Sequence, residues 1–134
     1  MRNKITVAGI LLLTLLLVQC NRERKEKLEG IWRLRTLEIN GTVISGTSLG
    51  DWKWEFNEEG GYLTDVAGAR EKGSYTLKGN QLSMKSVTHS ERPAQVYQIA
   101  LIDSVQLNLV TDDAKNKSSL HFIKLKTGGV VDND

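Results

Sequence analysis

The sequence predicts an all-β domain, an antiparallel up-and-down meander that closes into a small barrel of about eight strands. Three observations predict it. From Gly30 onward apolar residues recur with period two, as in Trp52, Trp54 and Phe56 with Lys53 and Glu55 between them, the pattern of strands buried on one face. The runs are short and are broken by turn residues such as Asn40-Gly41 and Lys78-Gly79-Asn80, which join antiparallel neighbours. No stretch past Gly30 has the spacing of an amphipathic helix, and so many twisted strands protect their edges best by closing on themselves.

The strands follow in order. Residues 30–39 place Trp32, Leu34 and Thr36 on one face and end at Asn40-Gly41. A short strand at 42–46 precedes 51–57, where Trp52, Trp54 and Phe56 share a face before the turn Asn57-Glu58-Glu59-Gly60-Gly61. Strands at 61–67 and 72–78 follow, the second with Tyr75 and Leu77 alternating up to Lys78-Gly79-Asn80. Leu82 and Met84 mark 81–88. A polar loop around His89-Ser90-Glu91 and Pro93 leads to 95–102, which turns at Ile102-Asp103-Ser104. Val105, Leu107 and Leu109 mark 105–111, and Leu120 and Phe122 a ninth strand at 118–126. The tail 127–134 reads as disordered.

Ahead of the barrel, residues 1–19 form a secretory signal. Met1-Arg2-Asn3-Lys4 is a short cationic start, Ile5 to Val18 an uncharged run rich in leucine, and Cys20, the only cysteine, closes it. As a helix that run rises about 21 Å, short of the ~30 Å hydrocarbon core. No Ala-x-Ala site follows it. Leu17-Val18-Gln19-Cys20 instead resembles a bacterial lipobox, with Gln19 where Gly, Ala or Ser is usual. Cleavage then leaves Cys20 as an acylated N-terminus, and its acyl chains make the membrane a partner of the protein. Residues 20–29 combine this lipidated cysteine with a charge-dense stretch, Asn21 to Glu29, read as a solvated tether with a short helix as the runner-up.

Composition narrows the function. Arg2 and Lys4 account for the whole formal charge of +2, so the processed chain is balanced, and nucleic acid is not an expected partner. Without a cysteine beyond Cys20, disulfide frameworks and thiolate metal sites are excluded. His89 and His121 are the two histidines, too few for a catalytic zinc site with three protein ligands. No cofactor and no metal are expected. Gly46-Thr47-Ser48-Leu49-Gly50 matches the nucleophile elbow, but that motif works on a strand-to-helix turn beside a parallel sheet, which this pattern lacks. Glu58-Glu59 and Asp112-Asp113 lie in turns, where neighbouring carboxylates do not face each other across a substrate. The chain is not expected to be an enzyme.

Several motifs together resemble lipocalin-like domains. Leu28-Glu29-Gly30-Ile31-Trp32-Arg33-Leu34 fits an L-x-G-x-W-x-L opening. Trp54-Glu55-Phe56-Asn57-Glu58-Glu59-Gly60 is similar to a strand-then-turn F-x-x-x-G, and Gly73 to Leu82 to a G-x-Y-x-L-x-G-N-x-L hairpin. With the lipobox, the chain resembles small lipocalin-like lipoproteins of Bacteroidetes over residues 28–125. The resemblance implies a barrel whose mouth holds a small apolar ligand. It also implies a cation over the Gly-x-Trp tryptophan, for which Lys124 and Lys126 are the candidates. An acidic export signal after the cysteine is missing from Asn21-Arg22-Glu23-Arg24, which points to the outer membrane with the domain facing the periplasm.

Trp32, Trp54, Phe56, Tyr62 and Tyr75 are the candidate ligand-binding residues, set against plain core filling, which small barrels also require. Three functions follow. The barrel is an envelope-anchored carrier of a small hydrophobic molecule. Alternatively it is solid and binds an envelope protein through a surface patch such as Ile39, Val43, Ile44 and Leu49. Last, Ser48 serves an unrecognised hydrolase.

Overall fold

A computed structural model describes residues 22–112 and 116–125. The signal segment 1–19, Cys20 and the tail 127–134 lie outside the described residues. All nine expected strands are present: β1 Gly30–Ile39, β2 Thr42–Ser45, β3 Trp52–Phe56, β4 Gly61–Val66, β5 Ala69–Lys78, β6 Gln81–Ser86, β7 Gln95–Ile102, β8 Gln106–Asp112 and β9 Lys117–Leu125. Neighbours pair antiparallel from β3 through β9, and β9 returns to pair with β1. The result is a closed barrel of eight strands, β1 and β3 to β9, with β2 as an extra strand.

β1 is where the barrel closes. One of its edges pairs with β9 from Ile31↔Leu125 to Ile39↔Ser118. The other edge is divided. Its first half pairs with β3, Gly30↔Phe56 to Arg33↔Lys53, and its second with β2, Thr36↔Ser45 to Ile39↔Thr42. A bulge at Arg35, between Leu34 and Thr36, marks the division. An extra residue in one strand reverses which side chains face inward. Trp32 and Leu34 are therefore buried before the bulge and Leu37 after it, while Thr36 is only half-buried. That corrects the expectation of one face through Thr36. Val105 is a second correction: it lies in the turn before β8 and is 57% exposed. There Asp103 accepts the backbone N–H groups of Val105 and Gln106 at 2.7 and 2.6 Å, which hold its carboxyl below the ordinary carboxylate range.

The charged stretch before β1 is a helix over residues 22–28, not a solvated tether. Leu28 explains why. It is fully buried among the barrel residues, and burying a leucine contributes roughly 1.5–3 kcal/mol. Three polar contacts hold the helix across one end of the barrel. The Trp32 indole donates to the Leu28 carbonyl at 2.8 Å, Lys124 Nζ donates to the Lys27 carbonyl at 3.0 Å, and the Arg24 guanidinium donates to Asn80. Lys124 Nζ also lies 5.1 Å from the centre of the Trp32 ring, supplying the cation expected there. Gly30 makes room for it: with φ at +127°, a Cβ at this position would stand 2.7 Å from the Lys124 Cε.

This end is closed. Trp32, Phe56, Leu82, Leu107, Leu109 and Phe122 are essentially inaccessible and fill the interior with rings and leucines, as small barrels do. Truncating the cap tests how far the fold depends on it. Leu28→Ala is expected to lower stability by about 2–5 kcal/mol in denaturant unfolding; an unchanged midpoint would mean that the helix is not part of the core.

Candidate functional site

The opposite end differs because fewer large side chains reach it. It is bordered by the β4–β5 turn, Ala67-Gly68, and the β6–β7 loop, residues 87–94. Between them lies a cavity of about 170 Å³ lined by Trp54, Tyr62, Thr64, Met84, Ser86 and Tyr97, with Glu71, Arg92 and Gln95 at its rim. The strand pattern puts them there. Trp54 faces Thr64 across β3–β4 and Leu82 faces Tyr97 across β6–β7. Inward alternation then leads from Phe56 to Trp54, from Tyr62 to Thr64 and from Leu82 to Met84 and Ser86. The broader clefts among the described residues lie outside the barrel, such as the 560 Å³ hollow beside Leu63, Lys72 and Val87.

The walls are aromatic. The Trp54 ring packs at 4.8 Å from Phe122 and, edge to face, at 5.6 Å from Tyr97. Trp54 itself is only 6% exposed, yet its buried indole N–H has no hydrogen-bond partner among the described residues. Such an orphan donor costs roughly 1–3 kcal/mol and is uncommon in folded proteins.

The rim is polar and tied together through Glu71. One carboxylate oxygen accepts from the Tyr62 hydroxyl at 3.1 Å, the other from Arg92 Nη1 at 3.2 Å. His89 Nε2 stands 3.9 Å from Glu71 and its Nδ1 3.9 Å from Glu91. The His89 backbone N–H donates to the buried Ser86 hydroxyl at 2.9 Å. Lys85 Nζ donates to the carbonyls of Ser90 and Arg92. The β6–β7 loop is thus strapped to β5 and β6 beside the opening.

The five predicted ligand residues divide between the two ends. Trp54 and Tyr62 line the cavity. Trp32, Phe56 and Tyr75 belong to the filled interior: Trp32 under Lys124, Phe56 edge-on to Tyr75 at 5.2 Å, and the Tyr75 hydroxyl donating to the Asn57 carbonyl at 2.7 Å. For these three, core filling is the reading the geometry favours, because close-packed rings leave no space beside them. Thr64, Ser86 and Tyr97 are wall residues that the sequence reading did not single out. Tyr97 was within reach of it, since Tyr97 and Ile99 alternate in β7.

The other sequence candidates lie elsewhere. Ser48 sits in one 3₁₀ turn, Gly46–Leu49, between β2 and β3, which both pair antiparallel with β1, not at an elbow between a strand and a helix. His121 is on β9 opposite Asn108. Among the described residues no three His, Cys, Asp or Glu side chains converge as a metal site. Of the candidate surface patch, Leu49 packs onto the core and Ile44 is half-buried, leaving Ile39 and Val43 exposed.

Comparison with solved structures agrees with this architecture. A lipocalin-like protein from Bacteroides uniformis superposes with a TM-score of 0.57 at 20% identity, covering 74% of this chain and 99% of its own. The fold is lipocalin-like. An uncharacterized protein from Bacteroides eggerthii superposes with a TM-score of 0.54 at 16% identity, over 73% of this chain and 99% of its own. No protein-family model and no curated protein matches the sequence.

All three tyrosines of the lipocalin-like barrel are held in the neutral form. Burial, then the charges of Tyr62 and Glu71, push Tyr97 up to about 12. Burial, then Glu29, does the same to Tyr75. Burial and the Glu71 hydrogen bond raise Tyr62 above its ordinary value near 10. A phenol whose folded pKa exceeds its unfolded one adds stability that is complete below the unfolded value and is lost as pH rises through the folded value. The phenolate absorbance of Tyr75 and Tyr97 is therefore expected to appear only above pH 10, with stability falling between pH 10 and about 12. Ordinary titration near pH 10 in the folded chain would contradict the burial of these hydroxyls.

Proposed function

We propose that this chain is an envelope lipoprotein whose barrel binds one small, ring-sized organic molecule at its open end. The observation that carries the reading is the cavity of about 170 Å³ among Trp54, Tyr62 and Tyr97. An apolar cavity of about 150 Å³ accepts benzene, whereas drug-sized ligands take about 300 Å³ or more. The site suits a single substituted ring and is too small for a porphyrin or a full acyl chain. Trp54 and Tyr97 offer ring faces and edges for stacking.

Anchoring rests on the sequence. The cationic start, the apolar run Ile5–Val18 and Cys20 support export followed by acylation, and two or three acyl chains hold a protein stably where one does not. Fold alone does not assign function; the reading depends on the chemistry of the cavity wall.

Native mass spectrometry of the chain purified gently from its own host tests both parts. The expected protein mass starts at Cys20 and includes acyl groups, with a noncovalent adduct of one-ring size. Thr64→Phe places a ring in the cavity and is expected to abolish the adduct without lowering the melting temperature. A bare protein mass, or an adduct that survives Thr64→Phe, would contradict binding at this site.

A further inference from the structure

We infer that the protein stands on its membrane by the closed end of the barrel, so that the cavity opens away from the bilayer and exchanges its ligand with water. The inference rests on the lipid anchor proposed above and adds an orientation to it. Only Asn21 separates Cys20 from Arg22, where the helix over residues 22–28 begins. At about 3.3–3.6 Å per residue, the acylated cysteine lies within roughly 7 Å of Arg22.

That helix is no free leash. Leu28 is buried in the core, Lys124 holds the Lys27 carbonyl, and Arg24 holds Asn80 in the β5–β6 turn. The anchor point is therefore fixed to the closed end. The cavity belongs to the other end. β5 runs from Glu71 at the rim to Lys78 beside the cap. The seven steps between them, rising about 3.3 Å each and tilted about 40°, span roughly 18 Å of barrel axis. A bilayer within 7 Å of Arg22 cannot reach the rim unless the barrel lies on its side.

Charge does not do the orienting. Arg22, Arg24, Lys25 and Lys27 on the helix stand with Glu23 and Glu26, and the same end carries Glu58, Glu59 and Asp103 against Lys78 and Lys124. Signs so mixed give weak headgroup attraction; the short connection and the docked helix set the geometry. The rim agrees with a mouth in water, since Arg92, His89 and Glu91 are substantially exposed there. The ligand class that follows is a water-soluble one-ring compound rather than a lipid taken laterally from the anchoring bilayer.

The test uses the full acylated chain from its host, reconstituted in vesicles of phosphatidylethanolamine and phosphatidylglycerol carrying a headgroup nitroxide. A fluorophore is attached through Glu58→Cys at the closed end or Glu91→Cys at the rim. Quenching several-fold stronger at position 58 than at 91 is the expected result. Equal quenching means a barrel lying on its side, and stronger quenching at 91 means an inverted one; either overturns the inference while leaving the anchor intact. A chain that washes off the vesicles overturns the anchor and the orientation together, without bearing on the cavity. Should either variant fold poorly, Lys78→Cys and Ser90→Cys report the same two ends.

Discussion

Everything in this molecule depends on the pairing of its first strand with its last. Without the β1–β9 ladder the sheet would be an open ribbon, with its two terminal edges available to any passing strand. With it, the inward faces of eight strands meet around one axis, and Trp32, Leu34, Leu107, Leu109, Leu120 and Phe122 become a common core. The ladder also imposes a constraint. β1 must serve β9 along its whole length while serving β3 and β2 in succession on the other edge, and the Arg35 bulge is where it turns from one to the other.

Closure produces two ends, and side-chain volume makes them unequal. At one end the helix over residues 22–28 lowers Leu28 onto Trp32, and Lys124 crosses above both. At the other, the inward positions pass from Phe56, Tyr75 and Leu82 to Thr64, Met84 and Ser86. Smaller and more flexible side chains enclose less of the space, and a cavity remains under the strapped β6–β7 loop. The hollow is thus a consequence of how residues are graded along the axis, and a polar rim built on Glu71 keeps its entrance wettable.

Much of the fold was legible because alternation reports directly on a pleated strand with one buried face. All nine strands follow from it with ends shifted by a few residues. The parity reversal at Arg35 was not legible: a bulge inserts one residue without any residue type that announces it, so Thr36 was expected inward and Leu37 was not. The same happens in β7, where the register shifts between Ile99 and Leu101. The helix before β1 was legible only as an alternative, since its stability comes from Leu28 entering a core built by distant strands, not from its own charged sequence. Of the site, Trp54 and Tyr62 could be named from ring size and alternation. Glu71, Ser86 and Arg92 could not, because they come from β5, β6 and a loop and meet only once the barrel is closed.

The central claim is that the interior is hollow at one end alone. Met84 offers a direct reporter, for it lines the cavity and is one of only two methionines. Methyl NMR during titration with a small aromatic ketone such as acetophenone is expected to move the Met84 signal saturably while the Leu28 and Leu82 methyls stay in place. Equal movement of the closed-end leucines would mean that the barrel is open along its axis, and no movement of Met84 would mean that the cavity does not admit a ring.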